Sequence, residues 1–273
     1  MKREVFHYNL SEIAPFIDWS YFFHAWGVSG NKVTKATIDE MMHDAKSMLE
    51  NLDGIYKTHA IFTLCEAKGN GDDIIIEGKS IPFLRQQHTE TEKYNLCLSD
   101  FVSPHGDHIG FFATTIDKDF GAEYKDDPYL YLLAQTLADR LAEATAARLH
   151  LQIRTDKTLW GYSSNEKLGI NDLLTEKNQG IRPAVGYPSL PDQSIIFEFD
   201  KFLHLDNIGI TLTPNGAMTP HASVCGMILA HPKAHYFAVG KISEEQFADY
   251  ARRRRIDTTE LRKFLSKNIE QIV

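Results

Sequence analysis

The chain has 273 residues, 43% hydrophobic and 24% charged, with a formal net charge of −8. That is ordinary globular composition, long enough to bury one large core or two small ones, and its charge offers no overall field to draw in nucleic acid. No window approaches the ~20 apolar residues that span a bilayer, the start MKREVFHYNL lacks the apolar stretch of a secretory signal, and Cys65, Cys97 and Cys225 stand singly, without the spacing of a disulfide framework or zinc cluster.

The expectation is therefore a cytoplasmic protein with no membrane and no nucleic-acid partner. No repeat, low-complexity tract or Ser/Gly linker divides the chain, so residues 1–273 read as one domain with 1–15 as an N-terminal extension.

In chain order, a helix is expected over Ala36–Leu52. The β-branched and aromatic runs His59–Glu66 and Asp73–Glu77 read as strands, joined by a turn-rich connector, 67–72. Within it Gly69-Asn-Gly71 lacks the third glycine and following helix of a dinucleotide loop, so it reads as a hairpin turn. His108–Thr115 is a further strand. After Pro128, the residues Leu130, Leu133, Leu137, Leu141, Ala144 and Leu149 recur at helical spacing and predict one long amphipathic helix. A short helix is expected between a cap at Asn171 and a stop at Gly180. Strands follow at Ile208–Thr213, Ser223–Ala230 and His235–Ile242, the last two forming a hairpin through Ala230-His-Pro-Lys-Ala234. Ser243-x-x-Gln246 and Asp257-x-x-Glu260 read as capping boxes opening two closing helices. Because the strands cluster in hairpins and do not alternate with helices, the class is α+β with a mostly antiparallel sheet.

The most unusual stretch runs from Gly180 to Pro191, with three prolines and two glycines in the part Gly180-Ile-Arg182-Pro183-Ala184-Val-Gly186-Tyr187-Pro188 and its continuation. Such a loop presents its own N–H and C=O groups to a ligand edge, because proline removes competing freedom and glycine allows close approach. Arg182 adds a planar fork for a carboxylate and Tyr187 a flat face with a polar tip. On composition alone the same stretch also reads as a rigid surface turn whose arginine pairs with a nearby acid.

Arg182-Pro-Ala-Val-Gly-Tyr187 resembles the Arg-x-x-x-Gly-Tyr signature of the activation domain of cobalamin-dependent methionine synthase. Further blocks are similar to that family and stand in its order: Ile17-Asp18-Trp19 with Phe22-Phe23, Arg85-Gln86-Gln87, Asn95 to Phe101, Asp107-His-Ile-Gly110, Ala138 to Glu143, Trp160-Gly-Tyr162, Ala222 to Gly226, and His231-Pro232 with Tyr236 to Val239. The resemblance implies a C-shaped or helmet-like domain on a twisted antiparallel sheet that binds S-adenosylmethionine in a groove at the sheet's edge. In that reading Asp18 holds the α-amino group, Arg182 the carboxylate, and the Ala184, Gly186 and Tyr187 backbone the adenine. Tyr236 flanks the sulfonium, with Glu143 and Glu176 nearby. Phe237, Thr219 and Cys225 depart from the family's usual residues at the rim.

The implied function is a binding module, not catalytic alone, that supports reactivation of cob(II)alamin in a separate cobalamin-binding methionine synthase subunit, with a flavodoxin-like or ferredoxin-like electron donor. Cobalamin itself is expected only through that partner, since the chain contains no Asp-x-His-x-x-Gly. Two alternatives are service to another corrinoid protein and an autonomous small-molecule methyltransferase. No metal site is expected: His105/His108 and His231/His235 each lack a third donor at a telling distance. The run Arg252–Arg255 reads as a solvated helix end, or as a dock for an acidic partner.

Overall fold

Apolar runs with no polar face form the middle of the sheet. In the computed structural model, residues 1–28, 34–89, 93–175 and 177–270 are described. The first half holds β1 (Lys2–Asn9), α1 (Leu10–Ile13), α2 (Trp19–Ala25), α3 (Lys35–Leu52), β2 (Lys57–Asn70), β3 (Asp73–Ile76), β4 (Lys79–Pro82) and β5 (Asp107–Ile116). The second holds α4 (Pro128–Thr155), α5 (Ile170–Leu174), α6 (Ile196–Leu203), β6 (Thr211–Leu212), β7 (Met218–Thr219), β8 (Ser223–Leu229), α7 (Glu244–Arg254) and α8 (Thr258–Leu265). Six strands make the main sheet, in the order β4-β3-β2-β5-β8 with β1 also on β2, and every pairing is antiparallel.

Successive side chains of a strand face opposite sides, and here both sides are covered. Ile61, Cys65, Phe111, Cys225, Met227 and Leu229 join a core with Phe199, Phe247 and Leu261 from α6, α7 and α8. Ala60, Phe62, Phe112, Val224 and Ile228 join a second core on the other face, built on α3 and α4. Burial on both faces explains why β2, β5 and β8 read as nearly continuous apolar runs. The long helix starts as its sequence dictates. Asp127 accepts from the N–H groups of Tyr129 and Leu130 at 2.9 and 3.0 Å, and Pro128 occupies the first turn, where no N–H is needed. Thr114 Oγ1 donates to the Ala142 carbonyl at 2.8 Å, fastening α4 to β5. Among the described residues no helix is long and apolar enough to cross a membrane.

Several expectations need correction. Residues 1–15 are not peripheral, because β1 pairs with β2 over its whole length, Lys2 opposite Leu64 to Asn9 opposite Lys57. His235–Ile242 forms no strand and no hairpin with β8. The β8 edge is taken instead by 181–184, with bridges Ile181 to Leu229 and Ala184 to Gly226. Of Ile208–Thr213 only Thr211–Leu212 is a strand, since 205–208 closes a 3-10 turn and Gly209 turns the chain at φ 76°. The short helix starts at Ile170, where Asp172 rather than Asn171 accepts from the Gly169 N–H at 3.2 Å, and it ends well before Gly180. At the C-terminus, Ser243 caps Gln246 N–H as expected (3.2 Å), whereas Asp257 bonds the Thr259 N–H (2.8 Å).

Candidate functional site

The stretch 181–187 is stitched to the free edge of β8. Ile181 and Leu229 exchange backbone bonds of 3.0 Å, Met227 N–H donates to Pro183 O at 3.0 Å, and Val185 N–H to Cys225 O at 2.9 Å. The bonds around the Ala184 bridge come from its neighbours, so the Ala184 N–H points away from β8 and no backbone group among the described residues accepts it. Gly226 makes this approach possible: a Cβ there would lie 2.4 Å from the Pro183 carbonyl oxygen and 2.9 Å from the Ala184 Cα. Gly186 then turns the chain at φ 85°, and the Tyr187 N–H closes the turn on Ala184 O at 3.2 Å.

The second expected strand, His235–Ile242, is spent on this turn. Phe237 N–H donates to Ser189 Oγ at 3.2 Å, Ser189 Oγ donates to Phe237 O, and Val239 N–H donates to Pro188 O at 2.9 Å. These bonds hold Tyr236 over the start of the stretch, where its hydroxyl accepts from the Arg182 N–H at 3.0 Å.

Between these segments, α4, α5 and the Asp18 turn lies a cleft of about 790 Å³, within the usual size of small-molecule sites. Asp18, Glu143, Arg182, Ala184, Tyr187 and Tyr236 all line it. Gly186 stands behind the wall as the turn residue, and Glu176 lies outside the described residues.

Asp18 caps α2 through one oxygen only. Oδ1 accepts from Ser20 N–H at 2.9 Å and from Ser20 Oγ at 2.5 Å, and Oδ2 has no hydrogen-bond partner among the described residues. No described carboxylate pairs with the Arg182 guanidinium, which sets aside the reading of a surface turn with a paired arginine. Tyr187, 53% exposed, donates its hydroxyl to Glu143 Oε1 at 2.7 Å. Burial, then the Glu143 charge, pushes the phenol well above its ordinary value, so it stays a donor at neutral pH.

The cleft thus combines opposite charges unpaired among the described residues, Arg182 and Asp18 Oδ2, with open backbone and aromatic surface. A zwitterionic amino-acid head fits the first, and a flat heterocycle with hydrogen-bonding edges fits the second.

Residues 9–255 match the family described as vitamin B12 dependent methionine synthase, activation domain. The chain belongs to that family. Its structure is also similar to a crystal structure of the MetH reactivation domain bound to AdoHcy, with 33% sequence identity, a TM-score of 0.92, and coverage of 99% of this chain and 91% of that one. The antiparallel sheet flanked by helices is the fold of that reactivation domain.

Sequence reading passed over part of this activation domain's cleft. Arg140, one helical turn before Glu143, lines it with a buried Nε that has no partner among the described residues. Tyr21 lines it one turn after Asp18 and is 62% exposed. Arg140 falls inside the family-like block Ala138 to Glu143, and each of the two stands three residues from an acid already singled out.

The arginine run divides: Arg252 and Arg255 are exposed, while Arg253 and Arg254 turn inward. Arg254 pairs with Asp192 at 2.7 Å, the two side chains being 3% and 2% exposed, and shares it with the Tyr250 hydroxyl at 2.8 Å from Asp192. Arg253 pairs with Asp249 at 2.7 Å and also with Asp73, and Arg252 pairs with Asp249 at 2.5 Å. The three cysteines are buried and unpaired, and burial raises each thiol, Cys97 to about 11.

Proposed function

We propose that this activation domain binds S-adenosylmethionine in the cleft and presents its methyl group to cob(II)alamin held by a separate cobalamin-binding methionine synthase subunit. The observation that carries this reading is that one cleft is lined by two charges unpaired among the described residues, Arg182 and Asp18 Oδ2, and by Ala184 with its outward N–H. Arg182 would take the carboxylate as a fork, Asp18 the ammonium, and the Ala184 to Tyr187 backbone the adenine edge, with Tyr236 beside the sulfonium. Glu143 is in reach of the ribose hydroxyls once Tyr187 shares it. The ligand of the similar structure, AdoHcy, has the same head and heterocycle as S-adenosylmethionine.

The bound cofactor supplies the methyl group, and one electron comes from a flavodoxin-like or ferredoxin-like donor. The chain's own contribution is position: fixing the head and ring turns a bimolecular encounter into an oriented one. The hard chemistry stays with the cobalt. With no cobalamin-holding Asp-x-His-x-x-Gly in its sequence, the chain acts on a corrinoid brought by its partner, in the cytoplasm. The test mixes this protein with a cob(II)alamin-loaded cobalamin module, a chemical one-electron reductant and S-adenosylmethionine, and follows methylcobalamin by absorbance. Formation that depends on this chain supports the proposal, and formation at the same rate without it refutes the proposal.

A further inference from the structure

The face of the sheet away from the cofactor cleft carries a side-chain cluster that the proposed function does not use. In the β1–β2 register His7 stands directly opposite His59. Their Nδ1 atoms are 2.7 Å apart and their rings meet edge-on, with centroids 4.9 Å apart. His59 donates from Nε2 to Asp117 Oδ1 at 2.8 Å, and Asp117 is itself held by the Lys57 N–H on Oδ2 at 2.7 Å.

The bond from His59 to Asp117 fixes the tautomer. With its proton on Nε2, neutral His59 has a lone pair on Nδ1, aimed at His7. In the present arrangement His7 Nδ1–H fills the gap as the donor. Moving that proton to the exposed Nε2 of His7 leaves two lone pairs facing each other across 2.7 Å.

We propose that His7 and His59 form a two-nitrogen chelate for a divalent transition-metal ion, with Asp117 as the outer carboxylate that orients His59. A histidine ligand whose second nitrogen donates to a carboxylate is the usual arrangement at metal sites. The spacing favours one geometry over another. Metal–nitrogen bonds of about 2.0 Å put adjacent nitrogens roughly 2.8 Å apart in a square plane and roughly 3.3 Å apart in a tetrahedron. The observed 2.7 Å matches the square plane, so the site suits Cu(II), which also heads the affinity order for nitrogen donors. Water fills the remaining positions. Among the described residues no group of three His, Cys, Asp or Glu side chains is placed to hold a metal, so the site is open-sided and exchanges its ion.

The experiment titrates the purified protein with Cu(II) in glycine buffer, which masks single-imidazole binding, and reads heat together with the electron paramagnetic resonance spectrum. One Cu(II) per chain with two equivalent nitrogen couplings is expected. His7→Gln and His59→Gln should each weaken uptake by 30-fold or more and remove one coupling, and Asp117→Asn should weaken it about 10-fold, the lower end for outer-shell partners. Circular dichroism and the melting temperature without metal report whether each variant is folded. If folded His7→Gln and His59→Gln bind Cu(II) as the parent does, or if the parent shows one nitrogen coupling, the assignment is wrong.

Discussion

Two neighbouring segments exchange the roles their sequences suggest. Ile181–Tyr187, with its proline and glycine, completes the edge of β8, while His235–Ile242, rich in β-formers, stays out of the sheet. Strand propensity measures fit to a half-buried pleat, not a claim on a particular edge. Here the edge of β8 carries Gly226, whose bare backbone lets Pro183 and Ala184 come within contact. Once that edge is filled, the 235–242 backbone bonds the next turn at Pro188 and Ser189 instead. A loop held to the sheet on one side and by a second segment on the other is the rigid support that ligand recognition needs.

The largest effect is expected where the first segment is anchored from behind. Arg254→Met leaves Asp192 buried and uncompensated and should cost about 3–5 kcal/mol, measured by urea unfolding. A loss under 1 kcal/mol would mean that the turn after the segment, capped by Asp192, does not depend on this pair. Next, Gly226→Ala places a methyl group against the Pro183 carbonyl and should cost about 1–3 kcal/mol through forced displacement; if stability and ligand affinity are unchanged, close approach at β8 does not decide which segment takes the edge.

Acid tests the start of the same segment. His150 is fully buried, shares a 2.7 Å hydrogen bond with the Tyr162 hydroxyl, and has its pKa lowered well below 6.5 by burial and by the Arg182 and Arg154 charges. Tyr162 in turn packs against Gly180. A lowered folded value means this contribution is present above pH 6.5 and lost as pH falls below it, by at most about 1.4 kcal/mol per pH unit. His150→Gln should flatten that part of the stability profile, and an unchanged slope would place the proton uptake elsewhere. The smallest effect is Ser189→Ala, which unties the second segment from the first for about 1 kcal/mol and should loosen ligand binding more than it lowers the melting temperature.

Much of the fold was legible because its signals are local. The spacing of Leu133, Leu137 and Leu141 marked α4, and Gly69-Asn-Gly71 marked the β2–β3 turn, where Asn70 stands opposite Asp73. β1 was not legible, since Lys2–Asn9 is an edge strand with only Tyr8 fully buried and so lacks an apolar run. In the site, Arg182 and Tyr187 stood out because proline and glycine around them had no other use. Arg140 did not, because an arginine on an amphipathic helix looks solvated until the fold buries its Nε.

The assignment of the cleft rests on Arg182 meeting a ligand carboxylate with no competing acid among the described residues. Calorimetry of S-adenosylmethionine with the parent protein and with Arg182→Ala tests this directly. The expected result is saturable one-to-one binding by the parent and a loss of roughly 10- to 150-fold in the variant, the 1.5–3 kcal/mol of a charged hydrogen-bonded contact. Equal affinity in the two proteins would contradict it.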